Sequence, residues 1–371
     1  MENQAKLALP PKYTNSHKKC PATRQPASKR RKPVFSRIHK TLITFQPLLC
    51  WKRVHQMKLG TYTFKPEKAE GFDFHVLRVK IETGAKQKPL QDMYSNVAVF
   101  ADNAAVETHP DWVSQSPTGQ AKIGNNTLNI WWNIVCATQP QHRAEQLDYI
   151  AQVDQQSPGI WLTNQYFADQ GYCTCPRCQD LWKKSGLGWV DWRKREVTKY
   201  IAQIRDRVKN ELVLCIQPDP VNSLERYGVD FDNLAKYADK FCVVMFSKNY
   251  ATPWYFEMLT RAFKKLLKKP FYVALYVYGP GDNPKDVPTT QELLVTSVRC
   301  ARSGADGLLY LTEGANQIRN FQKEAVAQTQ LLEKLRTYGG QPVQEFLDRV
   351  ESWKGISTSA NFKGQKNHGL K

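Results

Sequence analysis

A chain of 371 residues, 41% of them hydrophobic, is long enough to bury one large core or two ordinary ones. Its formal net charge of +19 is uneven: Met1 to Lys58 holds fourteen Lys or Arg against the single acid Glu2, so most of the excess sits on a stretch with too little apolar periodicity to fold. No run reaches the roughly 18 consecutive apolar residues of a membrane span, which excludes a helical membrane protein as the expectation.

Residues 1–56 therefore read as a basic, disordered extension, with nucleic-acid or membrane-surface contact as the functional alternative, because clustered cations attract polyanions. Thr41 to Trp51 follows the basic run Ser28 to Lys32 in the order of a secretory leader. Gln46 and Pro47 break it, however, and no small-x-small cleavage site follows. Met57 stands just before the first convincing structured segment. Six of the nine cysteines are scattered singly, and Cys215, Cys242 and Cys300 lie in or beside apolar runs, a usage that suits a reducing cytoplasm better than a disulfide framework.

From there apolar, β-branched runs alternate with helical patterns. Strands are expected at Phe74 to Ile81, Val97 to Phe100, Leu128 to Val135, Gly159 to Leu162, Leu212 to Ile216, Phe241 to Phe246, Phe271 to Val277 and Gly307 to Leu311. Helices are expected over Gln141 to Gln155, Asp191 to Asn210, Pro253 to Lys268, Thr289 to Ser303 and Ala315 to Thr337. Eight strand candidates separated mostly by helices predict an α/β fold, a (β/α)8 TIM barrel over residues 57–340, with a C-terminal helix and tail over 341–371. A doubly wound open sheet is the alternative, but its first strand would precede a glycine-rich phosphate turn, and Ile81 to Ala85 offers only Gly84.

In a barrel, chemistry gathers just past the strand ends. The residues there are Glu82, Asp102 with Asn103, Asn133, Thr163 with Asn164, Gln217 with Asp219, Ser247 with Asn249, Tyr276 with Tyr278, and Glu313. Aromatic rings stack on the C–H faces of sugars while amides and carboxylates take the hydroxyls, so Asp102, Asn103, Trp161, Asn164, Tyr276 and Tyr278 are candidate carbohydrate-binding residues. Cys173, Cys175 and Cys178 form C-x-C-x-x-C, a spacing that lets three thiolates converge on one cation. Soft sulfur donors favour a structural Zn2+. Reduced thiols without metal, or a redox centre, are the other readings.

Several motifs in order carry a resemblance. Val99 to Asp102 runs to His109-Pro110-Asp111-Trp112; Trp132 to Pro140 leads to Arg143; Pro158 to Leu162 precedes the cysteine cluster and Trp182. Together they resemble glycoside-hydrolase-like TIM-barrel proteins, distantly including zinc-containing β-galactosidases, over roughly residues 57–335. The resemblance implies an activity on O-glycosidic bonds and, with the end of the third strand beside the fourth, makes Cys136 the fourth metal ligand. The same cysteine spacing occurs in tRNA-guanine transglycosylases, whose site is completed by a downstream histidine; here none follows the cluster until His368. Barrel glycosidases need two carboxyl groups about 5 to 9.5 Å apart. Asp219 as nucleophile or base and Glu313 as acid are the expected pair. One departure matters: the acid that the pattern places at the fourth strand end is Thr163, so a non-catalytic carbohydrate-binding barrel is the alternative.

Overall fold

The alternating runs become a parallel sheet because most of their residues can be buried on both faces. A computed structural model describes residues 56–124, 131–169, 171–248 and 250–358. Its strands are β1 (Lys58–Thr63), β2 (Phe74–Lys80), β3 (Tyr94–Ala98), β4 (Gln115–Ser116), β5 (Gly119–Gln120), β6 (Gly159–Thr163), β7 (Glu211–Ile216), β8 (Lys240–Met245), β9 (Phe271–Tyr276) and β10 (Gly307–Thr312). β4 and β5 pair as a small antiparallel hairpin. The other eight close in the order β1-β2-β3-β6-β7-β8-β9-β10, and Lys58 to Thr63 register against Gly307 to Thr312 to seal the barrel. This is the TIM barrel expected from the sequence.

Helices wrap the outside: α1 (Asn103–Thr108), α2 (Pro140–Asp154), α3 (Pro176–Ser185), α4 (Trp189–Arg207), α5 (Ser223–Tyr227), α6 (Phe231–Leu234), α7 (Pro253–Leu266), α8 (Thr290–Arg302), α9 (Ala315–Ala327), α10 (Thr329–Arg336) and α11 (Gln341–Thr358). Local chemistry starts several of them. Pro140, Pro176 and Pro253 stand at first-turn positions where a missing N–H costs nothing, and Thr289 with Glu292 forms a reciprocal capping box on α8. The single helical pattern expected over Ala315 to Thr337 divides into α9 and α10 around Gln328. α11 belongs to the outer layer, with Val343, Phe346, Leu347, Val350 and Trp353 all buried.

Inside the barrel the lower layer is aromatic. Trp161 lies 5.7 Å from Tyr272 with the rings nearly parallel, and Phe74 packs 5.2 Å from Tyr272 and 5.9 Å from Trp161. Rings of this size each remove about 150–250 Å2 from water, so this plug fills the interior that eight strands enclose.

Two expectations need correction. β1 was not expected, and it supplies the eighth strand. The ring of Phe74 occupies the space a Cβ would take at Gly60, so the residue that makes KLGTYT look unlike a strand is the one that lets β2 pack against it. The segment Leu128 to Val135 is not a barrel strand. Residues 128–130 lie outside the described residues; Trp131 and Trp132 are exposed, and Ile134 and Val135 only bridge antiparallel to Ala101 and Val113. A chain so exposed lacks the two-sided burial that a parallel strand needs. Residues 1–55 and 359–371, which hold nearly all of the expected basic extension and the tail after α11, also lie outside the described residues.

Candidate functional site: a four-cysteine centre and the barrel mouth

The connection from β3 to α2 carries Cys136, held in place where its N–H donates to the Trp112 carbonyl at 2.7 Å. Cys173 and Cys175 precede α3 and Cys178 sits in its first turn, so a helix start aims them at Cys136. All four are buried, and their sulfurs lie within 4.8 Å of one another. Cys136 Sγ is 3.7 Å from Cys175 Sγ and 3.4 Å from Cys178 Sγ. The Gln115 N–H donates to Cys173 Sγ at 3.3 Å, a contact that stabilises a thiolate. The four thiols can therefore hold one metal ion, with the membership read from the sequence.

Electrostatics favour charge at this centre. Arg193 is fully buried, and its terminal nitrogens donate to the carbonyls of Glu225 and Arg226 at 2.6 and 2.7 Å. Burial pulls its pKa down to about 10, opposed by negative charge at Asp169, Cys178 and Cys173. Arg143 donates from Nε to the Ala137 carbonyl at 2.6 Å and pairs with Glu196 at 3.5 Å. Burial lowers it too, against Glu196 and the nearby Tyr200, Cys136 and Cys178. The buried guanidinium of Arg193 and the half-buried one of Arg143 would offset the net charge of about −2 that four thiolates around a divalent ion would carry.

At the mouth, most of the acids singled out from the sequence meet cations. Asp102 caps α1 by accepting from Ala105 N at 3.0 Å and pairs with Lys80 at 2.8 Å, both side chains buried. Glu82 accepts from Arg78, also buried. Asp219 accepts from the N–H groups of Val221 and Asn222 at 3.1 and 2.8 Å and pairs with Arg226 at 2.7 Å. Burial works against ionisation there, but the Asn222 amide, Arg226 and the Val221 amide together hold Asp219 below the usual carboxylate range. The same Arg226 holds Asp169. Glu313 pairs with Lys65 at 2.7 Å and accepts from Gln317 at 3.2 Å. Asp282 likewise lies below its usual range: burial opposes this, and hydrogen bonds from Lys248, Tyr276 and the Gly279 amide outweigh it.

The remaining candidates are placed as follows. Asn103 accepts from Asn133 N at 2.8 Å and so ties the loop before Cys136 to α1. Trp161 is fully buried in the aromatic layer below the mouth. Asn164 takes a left-handed backbone, φ 56°, and its carbonyl accepts from Phe100 N at 3.0 Å. Tyr276 donates to Asp282 Oδ2 and Tyr278 to the Asp282 carbonyl, each at 2.5 Å. Asn249 lies outside the described residues. Thr163, at the fourth strand end, donates to the Val97 carbonyl at 3.5 Å.

The sequence reading missed the cations. Lys80, Arg78, Lys65 and Arg226 neutralise the strand-end acids, and the alternation of charged residues in RVKIE was the one signal that Arg78 on β2 and Glu82 just past it could meet. It also missed a polar row beneath the mouth. Arg78 and Asn96 are register partners on β2 and β3, the Arg78 guanidinium lies 5.4 Å from the Tyr62 ring centre, and Tyr62 Oη, Arg78 Nε and Asn96 Oδ1 are buried without a hydrogen-bond partner.

No protein-family model matches the chain, and no curated protein matches it. Solved structures do. An alpha-L-fucosidase isoenzyme 2 from Paenibacillus thiaminolyticus aligns at TM-score 0.51 and 10% identity, covering 81% of this chain and 49% of that one. A GH36 alpha-galactosidase from Geobacillus stearothermophilus aligns at 0.41 and 8% identity over 81% of this chain and 42% of that one. An alpha-galactosidase from Thermus thermophilus aligns at 0.40 and 12% identity over 70% and 58%. The chain spans about half the length of the fucosidase, and the likeness at this identity is one of fold. What this chain shares with the fucosidase is therefore the barrel fold.

Proposed function

We propose that this barrel binds carbohydrate at the C-terminal ends of its strands and does not cleave it by the two-carboxylate route. One observation carries the reading: Glu82, Asp102, Asp219 and Glu313 each pair with a cation, Asp219 sharing Arg226 with Asp169, while the fourth strand end presents the hydroxyl of Thr163. A general acid must stay protonated near neutral pH, which calls for a carboxyl shielded from cations. Binding has no such requirement, and half-buried Tyr276 and Tyr278 with Asn103 and Asn164 offer ring faces and amides of the kind sugars use. Calorimetric titration with neutral mono- and oligosaccharides tests this: saturable heat that falls on Tyr278→Ala supports it, and silence across the panel removes it.

Hydrolysis through Asp219 and Glu313 is the second reading. Its support is that Asp219 is held ionised by Arg226 and two amides, as a nucleophile or base requires. Turnover of any aryl glycoside that disappears in both Asp219→Ala and Glu313→Ala would establish it.

We infer further that the four cysteines hold a structural Zn2+. An all-sulfur, buried, four-ligand set leaves no open position for a substrate and suits zinc's tetrahedral preference. Residues 57–340 then act as the carbohydrate-binding unit, braced at one rim by metal. The seven cysteines among the described residues are all free and buried, which supports a reducing compartment such as the cytoplasm. Nucleic-acid binding through residues 1–56 rests on charge alone, and no helix among the described residues is long and apolar enough to cross a membrane.

A further inference from the structure

We propose that the outward face of α7 docks on an anionic lipid surface. The inner face of this helix is ordinary: Phe256, Leu259, Phe263 and, just past its end, Leu267 are buried against the barrel. The outer face is not. Trp254, Tyr255, Met258 and Leu266 are 59, 44, 48 and 40% exposed, so one helix accounts for four of the large apolar side chains left in water among the described residues. Trp254, Met258, Arg261 and Lys265 follow at i, i+4, i+7 and i+11, which lays them along one line of the helix.

Cations interleave with these apolar groups. Arg261, Lys264 and Lys268 have acidic partners at 2.6, 3.4 and 2.9 Å, in Glu257, Asp306 and Asp232. Lys265 and Lys269 have no ion-pair partner among the described residues. The one acid on α7, Glu257, is held by Arg299 as well, at 2.6 Å. The positive field extends beyond the helix. From Lys183 to Lys269 the chain carries 18 Lys or Arg against 10 Asp or Glu, whereas the rest of it beyond Lys58 carries 21 against 23. Phe231 on α6 packs 5.8 Å from Phe263, which sets α7 beside α6; an open groove of about 450 Å3, bounded by Asn233 of α6, runs along α4 past Lys194, Arg195 and Lys199, with Lys194 paired to Asp191 and Arg195 to Glu196.

The mixture selects the partner. Trp and Tyr rings settle at the headgroup level of a bilayer, and neighbouring Lys and Arg are drawn to acidic headgroups. Met258 and Leu266 would gain from contact with acyl chains but offer nothing on which a nucleic-acid base can stack. A second protein surface would have to supply both an apolar pocket and a row of acids in matching register.

The test uses the full chain with sedimented vesicles of phosphatidylcholine alone or with phosphatidylserine at about a quarter of the lipid. Binding is expected to the acidic vesicles only, weakening as salt rises. The double variants W254S/M258S and K265E/K269E should each lower the bound-to-free ratio about tenfold or more while melting at the wild-type temperature, because the altered side chains are exposed. No binding to acidic vesicles overturns the proposal. Equal binding by wild type and both variants overturns it too, placing the contact elsewhere, such as on the first 58 residues. So does the case in which these substitutions weaken binding of a single-stranded oligonucleotide while vesicles stay unbound.

Discussion

Removing either buried acid of the barrel mouth should reveal whether it is there to balance a cation or to react. Asp102→Asn keeps the cap on α1, since an Asn side chain also accepts from Ala105 N, but strips Lys80 of its counter-charge. Lys80 is 1% exposed, with the Ala98 carbonyl at 2.7 Å as its remaining partner. Breaking a buried pair on one side costs about 3–5 kcal/mol. The ammonium has an escape, because burial already lowers its pKa and it can give up the proton. Keeping a lysine neutral at pH 7 against an unfolded pKa near 10.4 costs about 4–5 kcal/mol, so the penalty is capped there. The sign follows. The variant's unfolded chain binds a proton that its native state lacks, so its deficit against wild type should shrink by about 1.4 kcal/mol per pH unit as pH rises from 7 toward 10. Glu82→Gln leaves Arg78, which cannot deprotonate; its deficit of about 3–5 kcal/mol should stay level over that range. Urea unfolding of wild type and both variants at pH 7, 8 and 9 reads all of this. Variants as stable as wild type within about 0.5 kcal/mol, or more stable, would refute the reasoning, since strained catalytic acids commonly relax when removed.

Metal analysis of protein purified without chelator should find about one zinc per chain, and Cys178→Ser should lose it together with a large drop in melting temperature; full metal-free stability would exclude a structural role. His75 is 9% exposed and accepts from or donates to Thr61 at 2.7 Å; burial, helped by Lys68, pushes its pKa down to about 4. It stays neutral in the fold while the unfolded chain takes a proton near pH 6.5, so stability is complete above that value and falls by about 2 kcal/mol by pH 5. His142, lowered chiefly by its own burial, adds in the same direction, and His75→Gln should visibly flatten the slope of the urea midpoint with pH. Trp353→Ala should cost about 3–5 kcal/mol in the same assay, because this α11 side chain is fully buried against Phe72 and Phe321; a loss under about 1 kcal/mol would show α11 to be dispensable.

The barrel was legible because its strands are short continuous apolar runs, and seven of the eight sit where the runs predict. β1 escaped because Gly60 and three hydroxyl residues dilute its apolar signal, and its glycine answers to Phe74, a contact no local window contains. The opposite error arose at Leu128 to Val135, where Trp, Ile and Val mimic a strand but Trp131 faces solvent. Three members of the four-cysteine centre could be read because thiol spacing is a local feature; Cys136 was placed there through an expected strand at Leu128 to Val135 that the barrel does not contain, and it arrives instead on the connection from β3 to α2. The state of the mouth could not. Lys65 pairs with Glu313 across the closure of the barrel, and Arg226 reaches Asp169 from α5, so whether an acid is free depends on residues brought in by the fold.

The most direct test is a long incubation of the purified, metal-loaded chain with aryl α- and β-glycosides of neutral sugars, followed for released phenol, beside Asp219→Ala and Glu313→Ala. A binding barrel whose strand-end acids are neutralised predicts release no faster than in the two variants or in buffer. Release by the wild-type chain that both substitutions abolish would contradict it.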